Sequence, residues 1–298
     1  MRPCFNQITA GRQPPADPAR DLAALAEAGW PAIELWLRHW DSYFAGHSPA
    51  QARRLLDDAG LVAAGACGHS GFFFAAGEAL RQSLDQLTQR LEQCQALGAP
   101  HLVVTPGQAP ERPAAADLDL AAEHLQAACD QAAGYGVTLG IEFLKGARLV
   151  NNLLTAALLA TKVDRPNVGV VVDTFHLYAG ISKVEDLSFL SRPGSATLGS
   201  APPGGSSQAR ITFVHVNDAS LAKPRELLAD PDRVLPGEGV FPLSDIFAAL
   251  RQRGYDGDVS LELFNEVFAA RWAENPAAAA RAALQSLGRL VPEGAIPR

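Results

Sequence analysis

The chain has 298 residues, room for one α/β barrel or two average domains, and its 48% hydrophobic and 19% charged content implies a large buried core rather than disorder. Lys and Arg number 25 against 32 Asp and Glu, a formal net charge of −7, so the average field repels nucleic acid and anionic membranes. The opening M-R-P-C-F-N has no apolar signal core, no stretch approaches the ~18 apolar residues of a membrane span, and Cys4, Cys67, Cys94 and Cys129 lack C-x-x-C spacing, which together predict a cytoplasmic protein with buried, unpaired thiols.

Pro3 to Ile8 reads as a first strand, followed by a helix over Pro18 to Ala28 that Gly29 closes. Ala32 to Leu37 alternates as a strand and carries Glu34 near its end. Ser48-Pro49-Ala50-Gln51 has the S-x-x-Q capping box with proline at the first helical position, opening a helix that stops at Gly60. Leu61 to Gly68 is a third strand with His69 just beyond it. Gly77 to Leu97 has a helical stripe of Leu80, Leu84, Leu87, Leu91, Cys94 and Leu97, ended by Gly98. The same unit then repeats. His101 to Thr105 is a strand, Ala114 to Tyr135 a helix, Val137 to Leu144 a strand with Glu142 near its exit, and Leu153 to Lys162 a helix. Val168 to Asp173 is an unbroken apolar run ending in an acid, as suits a strand buried on both faces, and His176 follows on the loop. A short helix over Lys183 to Leu190, a strand over Ile211 to Asn217 with His215, a helix over Leu243 to Arg253, a strand over Asp258 to Phe264 with Glu262, and a helix over Pro276 to Leu290 capped by Asn275 complete the chain.

Eight strands alternating with about eight helices predict a parallel sheet closed into a single-domain (β/α)8 barrel, residues 1–298. No G-x-G-x-x-G follows the first strand, which removes the main support for a dinucleotide fold. Residues 191–208, rich in Gly, Pro and Ser, read as a flexible surface insertion.

In such a barrel the C-terminal strand ends meet at one mouth, so Glu142, Asp173, His215 and Glu262 would share a site. Asp173 taken alone could simply cap the segment after its strand. Three carboxylates and an imidazole in one pocket would repel one another without a cation, and this oxygen-rich set suits one divalent ion, Mn²⁺ first, then Mg²⁺ or Co²⁺, with Zn²⁺ also compatible. His176, Arg233, His69, Lys145 and Glu34 are candidate substrate contacts; Trp36, Trp40 and the aromatic run Phe72 to Phe74 are candidate apolar walls.

The segments C-F-N at Cys4 to Asn6, I-E-F at 141–143, N-V-G-V-V-V-D-T-F-H at 167–176, H-V-N-D at 215–218, D-R-V-L-P-G-E-G at 232–239 and V-S-L-E-L-F at 259–264 carry a resemblance across nearly the whole chain. They resemble the xylose isomerase-like barrel superfamily of sugar isomerases and epimerases, and within it the inosose isomerases of inositol catabolism. The resemblance implies that Glu142, Asp173, His215 and Glu262 hold one divalent metal and that His176 and Arg233 contact a small polyol ketone or keto-sugar. Glu142 and Glu262 would then exchange protons with the substrate through a metal-stabilised enediolate. Three alternatives stand beside this isomerase: a lyase or dehydratase acting on a keto-sugar or dehydroshikimate, an apurinic-site endonuclease, and a non-catalytic barrel subunit. The endonuclease pattern has D-R-H where this chain has Asp232-Arg233-Val234, and valine ligates no metal. Nothing in the sequence specifies an oligomer.

Overall fold

In the computed structural model, which describes residues 1–13, 18–190, 209–220 and 222–291, eight parallel strands close on themselves as a barrel. The strands in chain order are β1 (Arg2–Asn6), β2 (Ala32–Trp36), β3 (Val62–Ser70), β4 (His101–Thr105), β5 (Thr138–Glu142), β6 (Val168–Asp173), β7 (Ile211–Val216), the two-residue β8 (Asp218–Ala219) and β9 (Arg233–Val234), and β10 (Asp258–Leu261). The closed order is β1-β10-β7-β6-β5-β4-β3-β2, while β8 and β9 form a separate antiparallel pair. The insertion expected at 191–208 lies outside the described residues. Among those described, no helix is long and apolar enough to cross a membrane, and all four cysteines are buried and free.

Small residues let the strands close. A Cβ on Gly169 of β6 would lie 2.6 Å from the Arg210 carbonyl oxygen and from Thr212 Cγ2, and one on Gly140 of β5 would lie 2.6 Å from Val171 Cγ2. Only glycine admits that approach. Cys4, Ala32, Ala64, Cys67, Val103, Val171 and Phe213 fill the barrel interior, and Phe213 packs edge-on beneath His215 at 5.8 Å between centroids. Every residue of β6 is buried, since one face meets this interior and the other the helix layer.

The helices follow their local signals. Ser48 accepts from the Gln51 amide at 3.4 Å and Gln51 accepts from the Ser48 amide at 2.8 Å, completing the capping box of α3 (Pro49–Asp58). Helix α4 (Gly77–Leu97) ends where Gly98 adopts φ +73°. In α10 (Pro276–Gly288) Asn275 caps as expected, accepting from Ala278 N at 3.1 Å.

Three helices depart from the expectation. Strand β2 stops at Trp36 because α2 (Leu37–Gly46) begins at once, burying Leu37, His39 and Trp40. Helix α9 (Glu266–Glu274), capped by Asn265, intervenes before α10. Helix α7 (Thr174–Ala179) starts directly after β6, so His176 is helical rather than on a loop. Residues 184–189 form a 3-10 helix, and β10 ends at Leu261, one residue before Glu262.

Candidate metal centre

Four of the expected residues converge. Glu142 and Asp173 end β5 and β6, His215 sits one residue from the end of β7, and Glu262 follows β10. Their ligand-type atoms all lie within 4.8 Å of one another and all four side chains are buried. His215 Nδ1 stands 2.9 Å from Glu142 Oε1, 3.5 Å from Glu262 Oε2 and 3.9 Å from Asp173 Oδ2. Opposite ligands of one first-row ion are about 4.3 Å apart, so this donor set fits a single cation after a shift of a few tenths of an ångström. It is the one such group among the described residues, and His69 and His176 are not in it.

Asp173 also caps. Its Oδ1 accepts from the amides of Phe175 at 2.6 Å and His176 at 3.0 Å, leaving Oδ2 for the cluster. Capping and site membership, alternatives in the sequence, are both satisfied because a carboxylate has two oxygens.

Arg233 closes the cluster on one side. Its Nη1 donates to Asp173 Oδ2 at 3.0 Å and Glu262 Oε2 at 2.8 Å, Nη2 donates to Asp230 Oδ1 at 3.0 Å, and the guanidinium lies over the rings of Phe175 and Phe264, 4.6 and 5.0 Å from their centroids. The two motifs around it hold each other. Ala219 pairs with Arg233 across β8 and β9, and the Asp218 carboxylate accepts from the amides of Gly237, Gly239 and Phe241 at 3.1, 3.1 and 2.9 Å. A Cβ on Gly239 would fall 2.2 Å from Asp218 Oδ1. H-V-N-D thus shapes the loop that delivers Arg233.

Electrostatics follow from this burial. Desolvation pushes the Glu142 carboxyl up to about 7, with Glu262 adding to the rise and His215 opposing it. Burial acts against ionising Asp173 too, but Arg233, His176 and His215 outweigh it and hold that carboxyl well below the usual range. His215 is raised well above an ordinary histidine because Glu34, Glu262 and Glu142 overcome its desolvation. Burial lowers His176 and His69 to about 4, keeping both imidazoles neutral near pH 7.

Above the cluster opens a cavity of about 620 Å³, whose wall includes Trp36, His69, Lys145, His176, Arg233 and both glutamates. His176 accepts from the Lys145 amide on Nδ1 at 3.3 Å, and its Nε2 lies 3.3 Å from Arg233 Nη2. His69 stacks on Phe72, and among the described residues neither of its buried ring nitrogens has a hydrogen-bond partner. Lys145 Nζ donates to the carbonyls of Glu226 and Leu228, which ties down the loop rimming the cavity.

Two expectations are corrected. Glu34 has no exposed surface and sits behind His215, not on the cavity wall, because the β2 register sets it one layer down beside Asn6. Of the aromatic residues, Trp36 lines the cavity, whereas Trp40, Phe72 and Phe73 are fully buried in the helix layer. Asn6 and Ser260, to which the sequence reading gave no role, contact the cluster through Glu34 and Glu262. Asn6 belongs to the C-F-N segment, the one signal in the sequence that points to it.

A family model described as a xylose isomerase-like TIM barrel matches residues 22–290. The chain is 31% identical to 3-dehydroshikimate dehydratase of Pseudomonas aeruginosa over 254 residues, 84% of this chain and 36% of that protein; it therefore spans little more than a third of that relative's length. It is 25% identical to inosose isomerase of Halalkalibacterium halodurans over 268 residues, 89% of this chain and 88% of that one. The solved IolI protein with a bound zinc atom superimposes with a TM-score of 0.81 at 24% identity, covering 98% of both chains, and shows the shared fold.

Proposed function

The chain belongs to the xylose isomerase-like TIM barrel family, and we propose that within it the protein is a divalent-metal-dependent isomerase or epimerase of a polyhydroxylated ketone, an inosose or keto-sugar. One observation carries this reading: two glutamates, an aspartate and a histidine with ligand atoms within 4.8 Å, the two glutamates lining a cavity. Full-length similarity to an inosose isomerase supports the substrate class, and would place the reaction in inositol breakdown.

Glu142, Asp173, His215 and Glu262 would hold the ion, Mn²⁺ by the oxygen-rich donor set or Zn²⁺ as in the IolI structure. Bound there, a divalent cation polarises a carbonyl and stabilises the charge that develops when an α proton leaves. The protein supplies the rest. Glu142 and Glu262 come from opposite flanks of His215, so one can take the α proton from the substrate and the other return a proton to the neighbouring carbon or oxygen. Neutral His69, in the cavity wall with its ring nitrogens buried, would reach a substrate oxygen only by turning its ring toward the cavity. His176 and Arg233 would orient the oxygens nearest the cluster, and Trp36 would cover an apolar face of the ring.

Exchange of substrate α protons with D₂O, followed by NMR over inososes, ketohexoses and 3-keto-glucosides with added Mn²⁺, tests the proposal. Deuterium incorporation with formation of an isomer is expected; no exchange with any of them, in Mn²⁺, Mg²⁺, Co²⁺ or Zn²⁺, overturns it. The 31% identity to 3-dehydroshikimate dehydratase favours one second reading, in which the same proton abstraction ends in loss of water. A dehydrated product without isomer would select it.

A further inference from the structure

Glu34 is an unusual residue to find where it lies. Its carboxylate has no exposed surface, and among the described residues its ion-pair partner is His215, with no Lys or Arg beside it. Burying a carboxylate is costly unless every lone pair is used. Here they are used asymmetrically. Oε2 accepts from Ser260 Oγ at 2.6 Å and from Asn6 Nδ2 at 2.9 Å, while Oε1 faces His215 Nε2 at 3.0 Å. Asn6 is itself pinned, its Oδ1 accepting from the Ile8 amide at 3.1 Å and its Nδ2 also reaching Glu262 Oε1 at 3.1 Å. These residues come from four strands, yet strand register makes them neighbours: Asn6 pairs with Glu34 and Ser260 with His215.

We propose that Glu34 is the positioning residue of the centre: anchored by Asn6 and Ser260, it takes the Nε2 proton of His215 in a hydrogen bond and thereby leaves Nδ1 to ligate a cation held together with Glu142, Asp173 and Glu262. The inference rests on the reading that these four residues hold a cation. A histidine that ligates through one nitrogen is oriented by what its other nitrogen donates to, and loss of such a partner typically weakens metal binding roughly 10- to 100-fold. Asn6 extends the same arrangement to a second ligand, since one amide group steadies Glu34 and Glu262 together.

Glu34→Gln probes the proton geometry directly. Asn6 Nδ2 is fixed as a donor, so the glutamine oxygen must turn toward Asn6 and Ser260, and its NH₂ then faces His215 Nε2. That arrangement favours the other imidazole tautomer, with the proton on Nδ1. Two measurements decide. Calorimetric titration of metal-free protein with ZnCl₂ should show binding by the wild type and roughly 10- to 100-fold weaker binding by Glu34→Gln. In the zinc-loaded wild type, ¹⁵N–¹H NMR of the His215 ring should show a slowly exchanging proton on Nε2 and none on Nδ1, a readout that does not depend on any variant folding. Equal zinc affinity in a folded Glu34→Gln protein, or a zinc-loaded ring protonated on Nδ1, would overturn the assignment of Glu34 and leave the metal centre standing. A wild type that binds no zinc would overturn both.

Discussion

His69 shows how much a single buried ring can govern. Desolvation lowers it to about 4, and Arg90 adds to the effect. In the unfolded chain it titrates near 6.5, so between these values only the unfolded state takes up the proton. Its stabilising contribution is complete above pH 6.5 and is lost as the pH falls toward 4, by up to about 3 kcal/mol. The stability of the wild type minus that of His69→Leu, measured in urea from pH 7 to pH 4, should therefore fall by up to about 3 kcal/mol along this path; a difference that stays constant with pH counts against a neutral buried ring. The two glutamates are tested at the same scale. Glu142→Gln and Glu262→Gln should each lower kcat by roughly 10²- to 10⁴-fold, and near-normal turnover in both would remove them from proton transfer. The sequence marked Glu142 and Glu262 because each follows an apolar strand pattern. It could not mark Glu34 as a positioning residue, because whether a strand-end acid reaches the cavity or stops one layer below depends on register, and β2 shifts register against β3 between Ile33 and Glu34.

At the scale of elements, the β8–β9 pair and its loop decide whether Arg233 arrives. Asp218 satisfies the amides of Gly237, Gly239 and Phe241 from a nearly fully buried position. Removing that carboxylate leaves three amides without their acceptor, the Phe241 amide among them buried, and breaking a charged network around a buried carboxylate costs about 3 kcal/mol. Asp218→Ala should lose about that much stability in urea denaturation and should lower kcat/KM as well, since the Arg233 loop is no longer held. Unchanged activity would mean that the loop keeps its shape without Asp218. Sequence periodicity read the long helices well, because α4 and α10 carry their own stripes and caps. It missed α2, α7 and α9. Two of these, α2 and α7, follow a strand with no turn signal between, and α7 is started by Asp173, whose second oxygen faces the cluster of Glu142, His215 and Glu262; α9 follows β10 after four residues, behind an Asn265 cap that adjoins the strand's apolar pattern.

For the whole molecule, the closed barrel converts residues up to 120 positions apart, Glu142 and Glu262, into one pocket. A cation that binds only this folded arrangement must stabilise it by mass action, by about 2.7 kcal/mol at a hundred times its Kd. Mn²⁺ or Zn²⁺ added to metal-free protein should raise Tm by about 4 °C for a chain of this size, and EDTA should reverse the rise; a Tm indifferent to Mn²⁺, Mg²⁺, Co²⁺ and Zn²⁺ would argue against the centre. The amino-acid sequence by itself determined the alternation of strands and helices, the barrel, and the four converging side chains, because those are set by local periodicity and by the rule that strand ends share one mouth. Only the tertiary structure decided depth and pairing: that Glu34 lies beneath His215, that Asp218 builds the loop behind Arg233, and that His69 stands unpaired at the cavity wall. Depth depends on strand register and on which atoms of distant strands come within hydrogen-bond reach, and neither is encoded in the spacing of residues along one strand.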